Sequence, residues 1–254
     1  MRKSILFISF FLFYNCEDIG KDYTWSNLPT GFHRKYGSVG YDYGWSAAQS
    51  KLDDGIIVIG QRSPEIFGKS DLWVIKTDNR GLIKWEKKFG GAENDVGYDV
   101  IQTSDGYFLL VGYTWSFGNS QQVYVIKIDG SGNTIWEKTF GGTMWDVGNS
   151  VIELFKGGYL IAGYSNSPGI SSGNTDMFLV KIDINGDVIW QKAYGNQAFP
   201  NHEWAYDLIE SNDEEILMVG ARDRYDKGSF NALVYRLDSN GNIIWEKEFT
   251  DDSQ

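Results

Sequence analysis

A chain of 254 residues that is 42% hydrophobic and 22% charged has the composition of a folded globular protein, and 4 prolines are too few for a low-complexity linker. A formal charge of −11 excludes the basic footprint that nucleic-acid binding requires and disfavours docking on anionic lipid headgroups. The single cysteine excludes an intrachain disulfide and a zinc site built from several thiolates.

The first segment to read is a leader. Arg2 and Lys3 precede an apolar run, Ile5 to Tyr14, broken only by Ser9. The run falls short of the roughly 20 residues that cross a bilayer and suits an export signal. Cys16 follows, with Phe13, Tyr14 and Asn15 before it. The arrangement resembles a bacterial lipoprotein signal, although that signal usually has an aliphatic residue three before the cysteine and small residues between. The resemblance implies a signal over residues 1–16, lipid attachment at Cys16, and a place in the cell envelope, at the outer membrane or cell surface. Membrane contact would then run through the lipid alone. The other reading is an ordinary signal peptide with an incidental cysteine. Residues 17–27 form a short tether in either case.

The phrase "GFHRKYG" comes next. Phe32 precedes Tyr36 by four residues, as Trp85 precedes Phe89, so the N-terminal stretch predicts an additional copy of a strand that recurs later. From here to the end of the chain one sentence is repeated. "KTDNRGLIKWEKKFGG", "KIDGSGNTIWEKTFGG", "KIDINGDVIWQKAYGN" and "RLDSNGNIIWEKEFTD" share three markers in one register. The aspartates are Asp78, Asp129, Asp183 and Asp238. The glycines are Gly81, Gly132, Gly186 and Gly241, and the tryptophans are Trp85, Trp136, Trp190 and Trp245. Their spacings of 51, 54 and 55 residues define repeats of about 50 residues, over 37–87, 88–138, 139–192 and 193–247, within a domain spanning 28–254.

Each repeat reads as four short strands. In the second, these are Gly97 to Thr103, Tyr107 to Tyr113, Val123 to Asp129 and Thr134 to Phe140, separated by Gly/Asp turns. β-Branched and aromatic residues fill them, and no stretch after residue 17 has helical periodicity. Four-stranded antiparallel units repeated about an axis predict an all-β, propeller-like fold. In "D-x-x-G-x-x-x-W" the aspartate should accept backbone N–H groups, the glycine should supply the positive φ of a tight turn, and the tryptophan should lean on the next unit. The motif resembles the tryptophan-docking motif of quinoprotein-like propellers, with a turn one residue shorter. The repeats are similar to the tandem propeller repeats of secreted bacterial surface proteins. Four units with an additional outer strand leave a closed ring and an open arc both available, and an arc exposes edges.

The hairpins are nearly uniform, whereas the loops expected at the opposite end vary: 90–95, 141–146 and 195–204 between units, and 113–122, 164–176 and 221–231 within them. Variable loops on a rigid scaffold are where binding usually lies. The candidate binding face is therefore Trp115, Phe117, Trp145, Phe199, Trp204 and Tyr225, with Trp115, Trp145 and Trp204 expected to line one patch. Asp42, Asp95, Asp146 and Glu203 each stand two residues before a small residue at the expected start of an inner strand. They read either as caps for backbone N–H groups or as an acidic ring for a cation beside a central channel.

Catalytic patterns are thin. The turn aspartates do not open EF-hand loops, because the twelfth position from Asp129 is Phe140 and from Asp183 is Tyr194. His33 and His202 are isolated, and no nucleophile elbow, zincin helix or phosphate loop is present. The expectation is a non-catalytic binding or scaffolding protein without cofactor or metal, its partner a protein or a glycan and not a nucleic acid. A lectin is the alternative: "SNGNIIW" resembles a bulb-lectin repeat, but "QTSDGYFLL" departs from that family's sugar site. An enzyme of quinoprotein or lyase type ranks third.

Overall fold

A computed structural model describes residues 34–37, 40–65, 68–171, 174–195, 201–224 and 229–250. The expected signal and tether, Cys16, Phe32, His33, Phe199 and Tyr225 lie outside them. The described residues form sixteen strands in four antiparallel sheets, each ordered as in the sequence. The first sheet is β1 (Asp42–Gln49), β2 (Ile56–Arg62), β3 (Asp71–Thr77) and β4 (Ile83–Phe89). The second is β5 (Asp95–Gln102), β6 (Phe108–Thr114), β7 (Gln122–Ile128) and β8 (Thr134–Phe140). The third is β9 (Asp146–Glu153), β10 (Tyr159–Ser165), β11 (Asp176–Ile182) and β12 (Val188–Tyr194). The fourth is β13 (His202–Glu210), β14 (Ile216–Arg224), β15 (Ser229–Leu237) and β16 (Ile243–Phe249).

The repeated sentence does what its chemistry dictates. Oδ1 of Asp129 accepts N–H bonds from Ser131 and Asn133, both 2.8 Å, and Asp78, Asp183 and Asp238 do the same in their own turns. Gly81, Gly132, Gly186 and Gly241 have φ of 74°, 76°, 83° and 73°. These glycines have a second duty. A Cβ on Gly132 would stand 3.1 Å from the ring of Trp85, on Gly186 3.2 Å from Trp136, and on Gly241 2.9 Å from Trp190. The tryptophans of the first three sheets thus each lie on the turn of the next. Trp85 Nε1 donates to the Gly130 carbonyl (3.0 Å) and Trp136 Nε1 to the Ile184 carbonyl (3.3 Å).

Three apolar seams lie behind these contacts. Ile57, Ile59, Leu72 and Val74 of the first sheet pack on Phe108, Leu110, Tyr124 and Ile126 of the second. Leu109, Val111, Val123 and Val125 meet Tyr159, Ile161, Phe178 and Val180 of the third. Leu160, Ala162, Met177 and Leu179 meet Ile216, Met218, Leu233 and Tyr235 of the fourth. Among the described residues, no strand pair joins the fourth sheet to the first by comparable contact. The described sheets form an open arc. Val219 on the free face of the fourth sheet is 40% exposed, whereas the matching Ile59, Val111 and Ala162 are each 0% exposed. Only three of the four motif tryptophans therefore close a seam, and Trp245 does not.

Residues 34–36 answer to the additional copy of the outer strand. Tyr36 Oη donates to the Gly81 carbonyl (2.6 Å), as Tyr194 Oη donates to that of Gly241 (2.8 Å), and Arg34 Nε donates to the Arg80 carbonyl (3.0 Å). This stretch is not in a strand, yet it occupies the first sheet's turn as a preceding outer strand would.

Every inner strand carries a bulge at the same place. Pairing passes from Gly44↔Gly60 to Ser46↔Ile59, from Gly97↔Gly112 to Asp99↔Val111, from Gly148↔Gly163 to Ser150↔Ala162, and from Ala205↔Gly220 to Asp207↔Val219. Trp45, Tyr98, Asn149 and Tyr206 are left unpaired and re-aimed. The opposing glycine is obligatory. A Cβ on Gly60 would lie 1.7 Å from the Tyr43 carbonyl oxygen, and on Gly112, Gly163 or Gly220 1.8 Å from that of Val96, Val147 or Trp204.

Candidate functional site

The loops at the start of the inner strands are fastened by buried carboxylates. Asp95 Oδ2 accepts the Gly91 N–H (2.8 Å) and the Ser116 hydroxyl (2.7 Å), and its Oδ1 accepts the Thr114 hydroxyl. Asp146 Oδ2 accepts the Gly142 N–H and the Ser167 hydroxyl, both 2.8 Å. Each acid thereby ties the loop between two sheets to the loop within one sheet. The serines continue the chain, accepting N–H bonds at 3.0 Å from Glu93 and from Met144. Gly90 and Gly141, at φ 118° and 131°, leave room for the carboxylates, which a Cβ would approach to 2.0 and 2.2 Å. Burial pushes the Asp146 carboxyl up, against hydrogen bonds from Ser165, Gly142, Ser167 and Gln122.

The first and fourth sheets use arginine in the same place. Arg62 lies 3.9 Å from Asp42 and 3.2 Å from Glu86. The buried Arg222 reaches Glu203 (2.8 Å), Glu246 and Glu248 (both 2.7 Å). The four acids that head the inner strands are thus held within the scaffold. Asp42, Asp95, Asp146 and Glu203 hold partners in their own sheets, and no group of three or more His, Cys, Asp or Glu able to bind a metal ion occurs among the described residues. The capping reading is the one the geometry matches.

Two loop aromatics stand on this fastened backbone. Trp115 N donates to the Asn94 carbonyl (2.9 Å), and Trp145 N to Asn166 Oδ1 (2.7 Å), while both rings stay exposed. Phe117 is partly exposed and tilts on Tyr124 at 5.5 Å. Trp204 corrects the expectation of a third loop ring. It belongs to β13, half-buried, and stacks on His202 at 5.8 Å with Phe230 at 6.0 Å. His202 Nδ1 accepts the Thr175 N–H at 3.3 Å.

The inner edge holds residues that the sequence reading missed. Asp99 lies just after the second sheet's bulge and bridges three sheets. It accepts Ser46 Oγ (2.8 Å) from the first, Val151 N (3.0 Å) from the third and its own Val100 N–H (2.8 Å), with Ser150 Oγ 3.4 Å away. Asp207 takes the same position in the fourth sheet, accepting Ser150 Oγ and Leu208 N at 2.9 Å. Burial raises the Asp99 carboxyl above its ordinary range despite these donors. The bulge residues Trp45, Tyr98 and Tyr206 directly precede Ser46, Asp99 and Asp207 of this staple. The available signal was the glycine opposite each bulge, in "VIGQ", "LVGY", "IAGY" and "MVGA".

No family model matches the chain, and no curated protein does. Solved structures do. A protein of unknown function from Bacteroides caccae is 15% identical, with a TM-score of 0.50 over 82% of this chain and 68% of that one. One from Dyadobacter fermentans is 13% identical, at 0.47 over 82% and 65%, and a eukaryotic initiation factor is 12% identical, at 0.40 over 81% and 55%. At such identities likeness speaks to fold alone, and in fold this all-β repeat chain is similar to the Bacteroides caccae protein.

Proposed function

We propose that the protein is a non-catalytic binding or scaffolding protein of the bacterial cell envelope, exported and lipid-anchored through Cys16, which presents its loop end to a protein or glycan. The observation that carries the reading is the pairing of fastened loops with exposed rings. Buried Asp95 and Asp146 lock the loop backbone, and Trp115 and Trp145 project from it. Large rings on an ordered backbone lose little entropy on binding and mark contact sites. The same acids are spent on hydrogen bonds within the scaffold, which supports a structural and not a catalytic role for them.

Photo-crosslinking in cells tests this. A photoreactive phenylalanine at position 115 or 145 should give a discrete adduct, and one at 131 on the hairpin end should not. In the same cells, Cys16→Ala should move the protein from the membrane to the soluble fraction. Equal adducts at all three positions, or none, would overturn the assignment of the face, and an unchanged fractionation would overturn the anchor.

A further inference from the structure

The inner edges of the sheets carry an aromatic row that neither the seams nor the loops require. Tyr43 stacks on Trp45 (5.9 Å between centroids, 17° between planes), Trp45 meets Tyr98 edge-on (5.5 Å, 70°), and Tyr98 tilts against Tyr113 (5.8 Å). Tyr164 of the third sheet stands within electrostatic reach of Tyr113 and of Tyr206 of the fourth. Burial, then the neighbouring hydroxyls of Tyr113 and Tyr164, hold the Tyr98 phenol well above its ordinary pKa. Burial, then Tyr113 and Tyr206, do the same for Tyr164. Tyr98, Tyr113 and Tyr164 therefore stay neutral.

Three of these rings are exposed although each is large: Tyr43 by 46%, Trp45 by 50% and Tyr206 by 55%. The bulges leave Trp45, Tyr98 and Tyr206 outside the strand pairing, and bulges of this kind re-aim side chains beside functional sites. Ring faces alternating with hydroxyls suit pyranose rings, whose C–H faces stack on aromatics and whose hydroxyls exchange hydrogen bonds with phenols. The chain carries a net charge of −11, and this repels polyanions. A row spanning four sheets suits a chain and not a single sugar.

We propose that this row is a binding track for a linear neutral polysaccharide, whose sugar faces stack on Trp45, Tyr43 and Tyr206 and whose hydroxyls bond Tyr98, Tyr113 and Tyr164. The proposal rests on the reading of the chain as a binding protein and adds a site apart from the loop rings. Its failure is separable, because loop adducts and sugar binding are read by different experiments.

Affinity electrophoresis of the full protein in detergent tests it, with gels containing hydroxyethylcellulose, galactomannan, arabinoxylan or, as the polyanion, alginate. At least one neutral polymer should retard the protein and alginate should not. Trp45→Ala should weaken that retardation at least ten-fold, Trp45→Phe should retain most of it, and Trp245→Ala, on the outer strand β16, should leave it unchanged. Tyr206→Ala, at an exposed position, serves as a second ring deletion if Trp45→Ala does not fold. No retardation by any neutral polymer, stronger retardation by alginate, or full retardation of the folded ring deletions would each overturn the proposal. A protein adduct at a photoreactive residue placed at 45, without sugar binding, would assign the row to a protein partner instead.

Discussion

At the scale of the residue, the turn aspartates are the most heavily reused group. The Asp129 carboxyl is held below its ordinary range, chiefly by the Asn133 N–H and next by the Asn133 side chain. Asp78, Asp183 and Asp238 are lowered by the N–H of Leu82, Asp187 and Asn242 first. A carboxyl depressed in the folded state contributes stability that is fully present above its unfolded pKa of about 3.9 and is lost as pH falls through the folded value. Asp129→Asn keeps the accepting oxygen and removes the charge. It should melt lower than the parent near pH 7, and the gap should narrow between about pH 5 and 3 as the parent's aspartate protonates. A gap that widened on acidification would contradict this linkage; thermal melts across pH measure it. These residues were legible in the sequence because their chemistry is local: an oxygen two and four residues from the N–H groups it accepts, and a glycine at a positive φ. The cap residues Asp95 and Asp146 were half legible. Position placed them at strand starts, but nothing local distinguished a cap from a channel acid, since the deciding Ser116 and Ser167 lie 21 residues further along.

At the scale of the element, the motif tryptophan offers an internal control. Trp136 rests on Gly186 with Tyr159 6.4 Å from its ring, whereas Trp245 repeats the motif with no sheet beyond it among the described residues. Trp136→Ala should cost about 2–3 kcal/mol, below the 3–5 kcal/mol of a fully buried ring because Trp136 is only half-buried. Trp245→Ala should cost no more than about 0.5–1 kcal/mol. Denaturant unfolding of the two variants measures the difference, and equal losses would mean that the ring adds nothing between sheets. The aromatic row escaped sequence reading for a physical reason. Strand faces are read by alternation, and a bulge breaks alternation by one residue, so Tyr98 and Tyr206 scored as ordinary strand positions. Trp204 was misplaced for a related reason. With Asn201 and His202 before it, the stretch read as loop, yet β13 begins at His202 and carries Trp204 opposite Ala221.

At the scale of the whole molecule, the repeat count fixed the number of sheets but not their closure, because the sequence of one seam says nothing of whether the last sheet meets the first. The open arc makes a direct comparison possible. Val111 and Val219 occupy matching positions opposite Asp99 and Asp207, one buried in a seam and the other on the free face. Val111→Lys places a charge in an apolar seam and should cost at least about 3 kcal/mol, while Val219→Lys should stay within about 0.5–1 kcal/mol. Comparable losses in thermal or denaturant melts would mean that the fourth sheet's face is covered.

The arc has one further consequence, for how the molecule comes apart. Each sheet is supported only by its neighbours, so stability is shared along a line, as in a linear array of coupled units. The second and third sheets have support on both sides, and the fourth has it on one. Amide hydrogens should therefore exchange earliest in β14–β16 and last around Val111, Val125 and Ile161, so that the chain loosens from its end inward like a zip and not all at once.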